Sequence, residues 1–417
     1  MGVAGMKMKE NKFTLIVPTR ERANTLFYSL QTCVAQTYQN FEILVSDNFS
    51  GDNTKAVVES FNDPRIRYIN TGERLSMSKN WEFALSHVTD GWVGFIGDDD
   101  GLMPGGIAAA NELLLADETG SEVIYWYDKM PWYYWAGEYG GSGKDNHVFL
   151  NVLKDYSPFV AKERLMKMAS LEASYESLPT IYHGFCSMDL IKRIKENSKD
   201  GLFFHSCIPD VYSTIPISIF SKSVLLAPES LSINGVSNNS TGGSSFFKND
   251  LKTVKKFLSE VNIPFSHYLN LDASDNVMPN VNILITDAFL RFVDYVDSDF
   301  SNNREELRPF LLWHLINKIK NDSTYKYLVD KFVSYNHLEN FDIKENKIYK
   351  AQNAKRKYFY YKYGYKINCE KYGTKTIADI ALVYRQVANT QNWDMVKHNF
   401  GRNFKALKRY ARYLMKV

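Results

Sequence analysis

At 417 residues the chain is longer than one hydrophobic core comfortably serves, so two domains of unequal size are expected. A net charge of +3 gives no bulk electrostatic case for nucleic-acid binding, and 45% hydrophobic with 23% charged residues excludes global disorder. Cys33, Cys186, Cys207 and Cys369 stand far apart with no CxxC pair, which is a reduced, cytoplasmic pattern without metal-ligand spacing. No apolar run approaches the roughly 20 residues that span a bilayer. The tail over residues 1–11 lacks the apolar core of a signal peptide and the Ser or Thr that a myristoylation pattern needs at position 6. A cytoplasmic protein, neither secreted nor integral to a membrane, is expected.

The first hundred residues alternate between two periodicities. "FTLIVP" (13–18) reads as a buried strand, and "NTLFYSLQTCVAQ" (24–36) as a helix opening on Asn24. "FEILVSDN" (41–48) repeats the strand pattern, followed by a helix from Asp52 or Asn53. "IRYIN" is a short strand, "SMSKNWEFALSHV" (76–88) a helix, and "GWVGFIG" (91–97) the next strand. Such alternation predicts a mostly parallel sheet with helices on both faces, and ligands at the carboxyl ends of its strands.

The polar residues fall at those ends: Pro18, Thr19 and Arg20 after the first strand, Ser46, Asp47 and Asn48 after the second, Asp98, Asp99 and Asp100 after "GFIG". Pro104 suits the first turn of a helix continuing as "GIAAANELLLA", which places the three carboxylates at a strand-to-helix junction. Two readings are open there, a solvated turn with a helix cap and a divalent-metal site. Asp47 has the chemistry to accept from a pyrimidine N–H, and Arg20 or Arg74 that to neutralise phosphate. No GxGxxG follows the first strand and no GxxxxGK[ST] occurs anywhere, which argues against dinucleotide and P-loop sites.

"FTLIVPTRERANTLFYSLQTCVAQTYQNFEILVSDNFSGDNT" with "GFIGDDD" resembles the nucleotide-binding half of a family 2 glycosyltransferase, well over 12–115 and more loosely to 245. The resemblance implies an α/β GT-A fold, a Rossmann-like mostly parallel sheet, over 12–245, with an acceptor half at 116–245. It also implies an inverting transfer from a nucleotide-sugar, a UDP-sugar first of all, with Mn²⁺ or Mg²⁺. By motif position Pro18, Thr19 and Asp47 would line the nucleoside, with Arg20, Asn48 and Asp99 in the same strand-end sets. Arg74, Ser78 and Asn80 would lie near the nucleotide or diphosphate, Asp98 near ribose or metal, and Asp100 would bind the metal. Asn234 stands where family members often carry a metal-binding His. The Gln-x-x-Arg-Trp motif of processive synthases is absent, so addition of one sugar or a few to a glycan or lipid-linked glycan is expected.

Inversion needs a carboxylate to take the proton of the attacking hydroxyl. Asp210, in "FHSCIPDVYSTIPISIF", stands where the family carries its Asp base, without the common Glu-Asp form. Its alternative is a helix cap, and Asp189 is the second candidate. Trp132, Tyr134 and Trp135, beside a Gly-rich stretch, offer flat faces for the acceptor sugar under a lid, against core filling. His183 is placed at the acceptor cleft.

From Asp250 the pattern turns helical, so residues 246–417 are expected as a helical domain. "KRKYFYYKYGYK" (355–366) reads as a solvated basic loop or an anion-binding patch, with nucleic acid last among its ligands. In 398–417, Phe400, Phe404, Leu407, Tyr410 and Leu414 form one stripe amid Lys and Arg, a basic amphipathic helix suited to an anionic membrane surface, or else docked on the annex. Besides an enzyme, a non-catalytic GT-A-like scaffold of a glycan assembly complex fits these motifs. A nucleotidyltransferase lacks its Gly-rich phosphate loop.

Overall fold

The computed structural model describes residues 10–126, 130–135, 147–154, 161–172, 175, 178–237, 265–271, 281–353, 361–368, 376–382 and 394–396. Its first part runs β1 (Phe13–Thr19), α1 (Ala23–Val34), β2 (Phe41–Asp47), α2 (Thr54–Ser60), β3 (Ile66–Asn70), α3 (Met77–Ser86), β4 (Trp92–Phe95), β5 (Gly101–Leu102) and α4 (Gly106–Ala116). Then follow β6 (Val123–Tyr125), β7 (Pro131–Tyr134), β8 (His147–Lys154), α5 (Ala161–Ala169), β9 (Gly184–Ser187), α6 (Met188–Glu196), α7 (Pro209–Phe220), β10 (Val224–Leu226) and β11 (Ser232–Val236). The C-terminal part holds α8 (Val281–Tyr295), α9 (Arg304–Ile319), α10 (Lys326–Tyr335), α11 (Lys347–Asn353), β12 (Tyr361–Asn368) and β13 (Asp394–Val396).

The main sheet has the order β10-β6-β9-β4-β1-β2-β3. Its strands are parallel except β9, which runs antiparallel to both β4 and β6. Alternation along β1 divides the core. Phe13, Leu15 and Val17 face α1 and α4 through Leu26, Leu30, Cys33 and Ile107, while Ile16 faces Trp81, Phe95 and the far side. Trp81 stacks on Phe95 with ring centroids 4.4 Å apart, fixing α3 to the centre of the sheet. At Gly94 a Cβ would lie 2.4 Å from the Gly184 carbonyl oxygen, so β4 and β9 approach as closely as only glycine allows.

A second sheet has the order β13-β12-β8-β7-β11-β5. Residues 361–366, expected as a basic loop, thus lie in β12, antiparallel to β8. Among the described residues the helices of the annex share their apolar clusters with the sheets. Phe289 of α8 and Phe310 of α9 share one apolar cluster with Val93, Phe95 and Tyr212, and Ile377 and Ile380 pack with Met103, Tyr133, Trp135 and Ile233. Polar residues at the strand ends hid this continuity, because helical periodicity reports a buried face and not what covers it. The expected boundary at 245/246, the "LKTVKKFLSEV" helix, the Gly-rich lid after Trp135, Cys369, and the basic helix of 398–417 fall outside the described residues.

Two helix starts also differ from expectation. Helix α1 begins at Ala23 with Arg22 as its N-cap, and Pro104 precedes α4, whose N-cap is Gly105 at φ 72°. Asp98 to Asp100 therefore occupy a turn between β4 and the short β5, not a strand-to-helix junction. Asp52 serves two helices at once, accepting from Ala23 N at 3.0 Å and from Thr54 N at 3.0 Å. Each bond satisfies an otherwise orphaned first-turn donor. Asp52→Ala should cost about 1–2 kcal/mol of stability, read by denaturant unfolding.

Candidate active site

The carboxyl ends of β1, β2 and β3 lie in register, Thr19 beside Asp47 and Asp47 beside Asn70. Asp47 is buried. Its Oδ1 accepts from Ser50 N at 3.0 Å, and its Oδ2 from Tyr68 Oη at 2.6 Å and Asn70 Nδ2 at 3.1 Å. Tyr68, partly buried and held against that carboxylate, is pushed up to about 12.

The turn after β4 sorts its three carboxylates into two environments. Asp98 Oδ2 accepts from Thr19 Oγ1 at 2.8 Å and its Oδ1 from Arg22 Nη1 at 2.6 Å. Asp99 Oδ2 accepts from Ser237 Oγ at 2.5 Å and Ser237 N at 3.2 Å, with Arg22 Nη1 3.7 Å from its Oδ1. Asp100 has a different set of partners and is fully buried. Its Oδ2 takes Gly97 N at 2.5 Å and Tyr182 Oη at 2.6 Å and lies 3.0 Å from His183 Nε2, while its Oδ1 takes Gly235 N at 2.6 Å.

These surroundings separate the acidities. Burial pushes Asp99 up to about 7, with the Asp100 and Asp98 charges adding to it against Arg22 and Ser237. For Asp100 burial acts in the same sense, but His183 and the hydrogen bonds from Tyr182 and Gly235 outweigh it and hold the carboxyl below its ordinary value. Arg22 is driven further toward the charged form by Asp98 and Asp99, against its own desolvation.

Of the expected nucleotide and metal residues, Thr19, Asp47, Asp98 and Asp99 gather at this edge. Pro18 and Arg20 are half-buried beside them, and Arg74 is exposed on the loop before α3. Five expectations, for Asn48, Ser78, Asn80, Asp100 and Asn234, meet side chains already engaged within the protein. Asn48 is tied to the chain at Leu75, donating to its carbonyl and accepting from its N–H at 2.8 Å each, so it shapes the Arg74 loop. Buried Ser78 donates to the Ser206 carbonyl, and Asn80 Oδ1 accepts from Ser46 Oγ at 2.8 Å, so both moor α3. Asp100 has no accessible surface left for a metal. The side-chain amide of Asn234 donates to the Gly235 carbonyl at 3.4 Å, and the contact with the acidic turn comes from the neighbouring Gly235 N–H instead.

The expected acceptor side is corrected as well. His183 is wholly buried, with Nδ1 2.7 Å from Ser232 Oγ, and its backbone is left-handed at φ 53°. Trp135 is buried and donates Nε1–H to the Asp99 carbonyl at 3.1 Å. Both buttress the acidic turn from inside. Trp132 is half-buried against Tyr125 and Met130, and the side chain of Tyr134 lies outside the described residues.

Asp210, in the first turn of α7, is half-buried. Burial raises its pKa, and it lies within electrostatic reach of His183 and Tyr182, on the side of the Asp100 cluster. Asp189 is eliminated by topology. It follows Ser187, which pairs with Trp92 at the start of β4, whereas the acidic turn follows the end of that strand. Arg22, Tyr182, Gly235 and Ser237 were not singled out from sequence. Arg22 and Ser237 stand inside "PTRERAN" and "LSINGVSNN", but nothing in their spacing shows that two loops about 200 residues apart meet on one carboxylate.

An open α/β sheet with a single antiparallel strand, a second sheet against its carboxyl edge and an acidic turn between them is the GT-A type of fold. The family described as Glycosyl transferase family 2 matches residues 14–160. The chain is 33% identical over 100 residues to a GalNAc(5)-diNAcBac-PP-undecaprenol beta-1,3-glucosyltransferase of Campylobacter jejuni, covering 23% of this chain and 32% of that protein. It is 29% identical over 93 residues to a UDP-Glc:alpha-D-GlcNAc-diphosphoundecaprenol beta-1,3-glucosyltransferase of Escherichia coli, covering 22% and 37%. The alignments thus span about a third of each relative. Among solved structures, S. aureus TarS 1-349 in complex with UDP-GlcNAc is similar at 15% identity over 94% of this chain and 98% of that one, with a TM-score of 0.43.

The acidity of Asp99 gives a test of the turn. The folded protein keeps a proton there that the unfolded chain releases, so stability falls as pH rises from 3.8 through about 7. In EDTA, Asp99→Asn should melt with the wild type at about pH 4 and above it at about pH 8, as followed by thermal denaturation.

Proposed function

We propose that the protein is an inverting, non-processive glycosyltransferase that moves a sugar from a nucleotide-sugar, UDP-linked in the first instance, to a lipid-linked glycan in bacterial surface polysaccharide synthesis. The observation that carries this reading is the set of Thr19, Asp47, Asp98 and Asp99 at the carboxyl edge of a sheet in the family-matched segment, with Asp210 within electrostatic reach of the Tyr182 and His183 that hold the neighbouring Asp100. The two undecaprenol-linked glucosyltransferases support the acceptor class.

The residues fit a divalent cation. Asp98 and Asp99 offer hard oxygen donors, and Asp99, driven up to about 7 by burial with the Asp100 and Asp98 charges adding to it, would be relieved by added positive charge. They, rather than Asp100, would hold it. Such an ion would supply Lewis-acid neutralisation of the departing diphosphate. Arg22 holds the two carboxylates in place, and Arg20 and Arg74 add positive charge for phosphate. Asp47 has lone pairs left to accept a base N–H, and Asp210, raised in basicity by burial, takes the proton of the attacking hydroxyl. Direct displacement of the diphosphate by that hydroxyl inverts the anomeric carbon.

Asp210→Asn should retain nucleotide-diphosphate binding and lose transfer by about a hundredfold or more. The measurements are calorimetric binding and product formation on an undecaprenyl-diphosphate glycan. Loss of nucleotide affinity with turnover intact would remove Asp210 from the base role. Donor binding by the wild type without any transfer or hydrolysis, across donors and acceptors, would favour the scaffold reading.

For delivery to the acceptor we propose peripheral contact of 398–417 with the anionic inner leaflet, each Lys or Arg adding about 1 kcal/mol. No described helix is long and apolar enough to cross a membrane. Deleting 398–417 should abolish sedimentation with phosphatidylglycerol vesicles and leave transfer to a soluble acceptor analogue unchanged.

A further inference from the structure

Between Asp47 and Gly51 the chain places a phenylalanine where physical chemistry disfavours one twice. Phe49 has φ 58°, a left-handed backbone that bulky side chains rarely adopt. Its ring is also 55% exposed, so burial does not offset the strain. Such a conformation persists only where the surroundings over-determine it, and they do. Ser50 N donates to Asp47 Oδ1 at 3.0 Å, spanning Phe49, and Asn48 N donates to the Thr19 carbonyl at 2.9 Å. Glu21, itself at φ 55°, donates its N–H to Ser50 Oγ at 2.8 Å and accepts from Gly51 N at 2.8 Å. With Asn48 bound on both sides to Leu75, the side chains flanking Phe49 are all turned to the protein.

The result is an aromatic face on a fixed backbone, two residues from Asp47 and at the sheet edge where ligands of such folds bind. A planar heterocycle is the ligand such a face fits best, since ring stacking gains dispersion and no backbone order has to be created. We infer that Phe49 is a stacking platform for the nucleobase of the donor, acting beside the acceptor oxygens of Asp47. The inference rests on the nucleotide-sugar reading and adds a specificity residue to it.

The test is calorimetric titration of UDP, GDP, ADP, CDP, dTDP and inorganic pyrophosphate, with Mg²⁺ present, into the wild type, Phe49→Gly and Phe49→Trp. For the best-binding nucleoside diphosphate, Phe49→Gly should lose about tenfold or more in affinity. Its pyrophosphate affinity should be unchanged, and its melting temperature should not fall, because glycine accepts the left-handed backbone. Phe49→Trp should bind the nucleotide at least as well as the wild type does. Nucleotide affinity in Phe49→Gly equal to that of the wild type, or an equal loss for pyrophosphate, would overturn the stacking role while leaving the donor class standing. A wild type that binds none of the nucleoside diphosphates would overturn the donor class, and the stacking role with it.

Discussion

A carboxylate without access to water is the point from which the site is organised. Asp100 gathers the N–H of Gly97 from its own turn, the hydroxyl of Tyr182 and the imidazole of His183 ahead of β9, and the N–H of Gly235 from β11. Those groups come from segments far apart in sequence, and a buried anion left short of any of them would be strongly disfavoured. With those donors committed to Asp100, the neighbouring Asp98 and Asp99, buried as well, are held by Arg22 and Ser237. The three carboxylates thus share one buried turn through different partners, and burial beside two other charges raises Asp99.

The same economy explains several residues that look chemical in sequence and are architectural in space. His183 and Trp135 support the acidic turn from behind, and Ser78 and Asn80 hold α3 to the neighbouring chain. Close approach has a parallel cost. A Cβ at Gly235 would fall 1.8 Å from the Asp99 carbonyl oxygen, so β11 carries glycine where it passes under the turn.

Much of the main sheet was legible from sequence, because apolar runs ending in Pro18, Asp47 and Asp98 carry both the strand period and its terminus. Asp98 and Asp99 were legible as a set for the same reason. The division of labour within "DDD" was not, since only tertiary partners from distant segments decide what each carboxylate of the turn binds. Nor was the second sheet, whose β5 has two residues and whose β12 arrives from more than two hundred residues later. Short strands and distant pairings leave little local periodicity. Trp135, read as a flat face for the acceptor sugar, is instead buried with Tyr133 where the second sheet packs against residues 377–381.

That convergence bears on how the chain comes off the ribosome. The strand β11 pairs with β5 directly after the acidic turn, and Ile377 lies against Gly101 and packs with Met103. The main sheet of a nascent chain can form once β10 at Val224–Leu226 has emerged, but the surface that closes over Met103 waits for Ile377, more than two hundred residues after it. Until then the apolar patch of Met103, Tyr133 and Ile233 stays uncovered, and the pairing that hides it is long in range and therefore slow to find. Synthesis rate and chaperone access between the emergence of Met103 and that of Ile377 thus become part of the conditions under which this site is assembled.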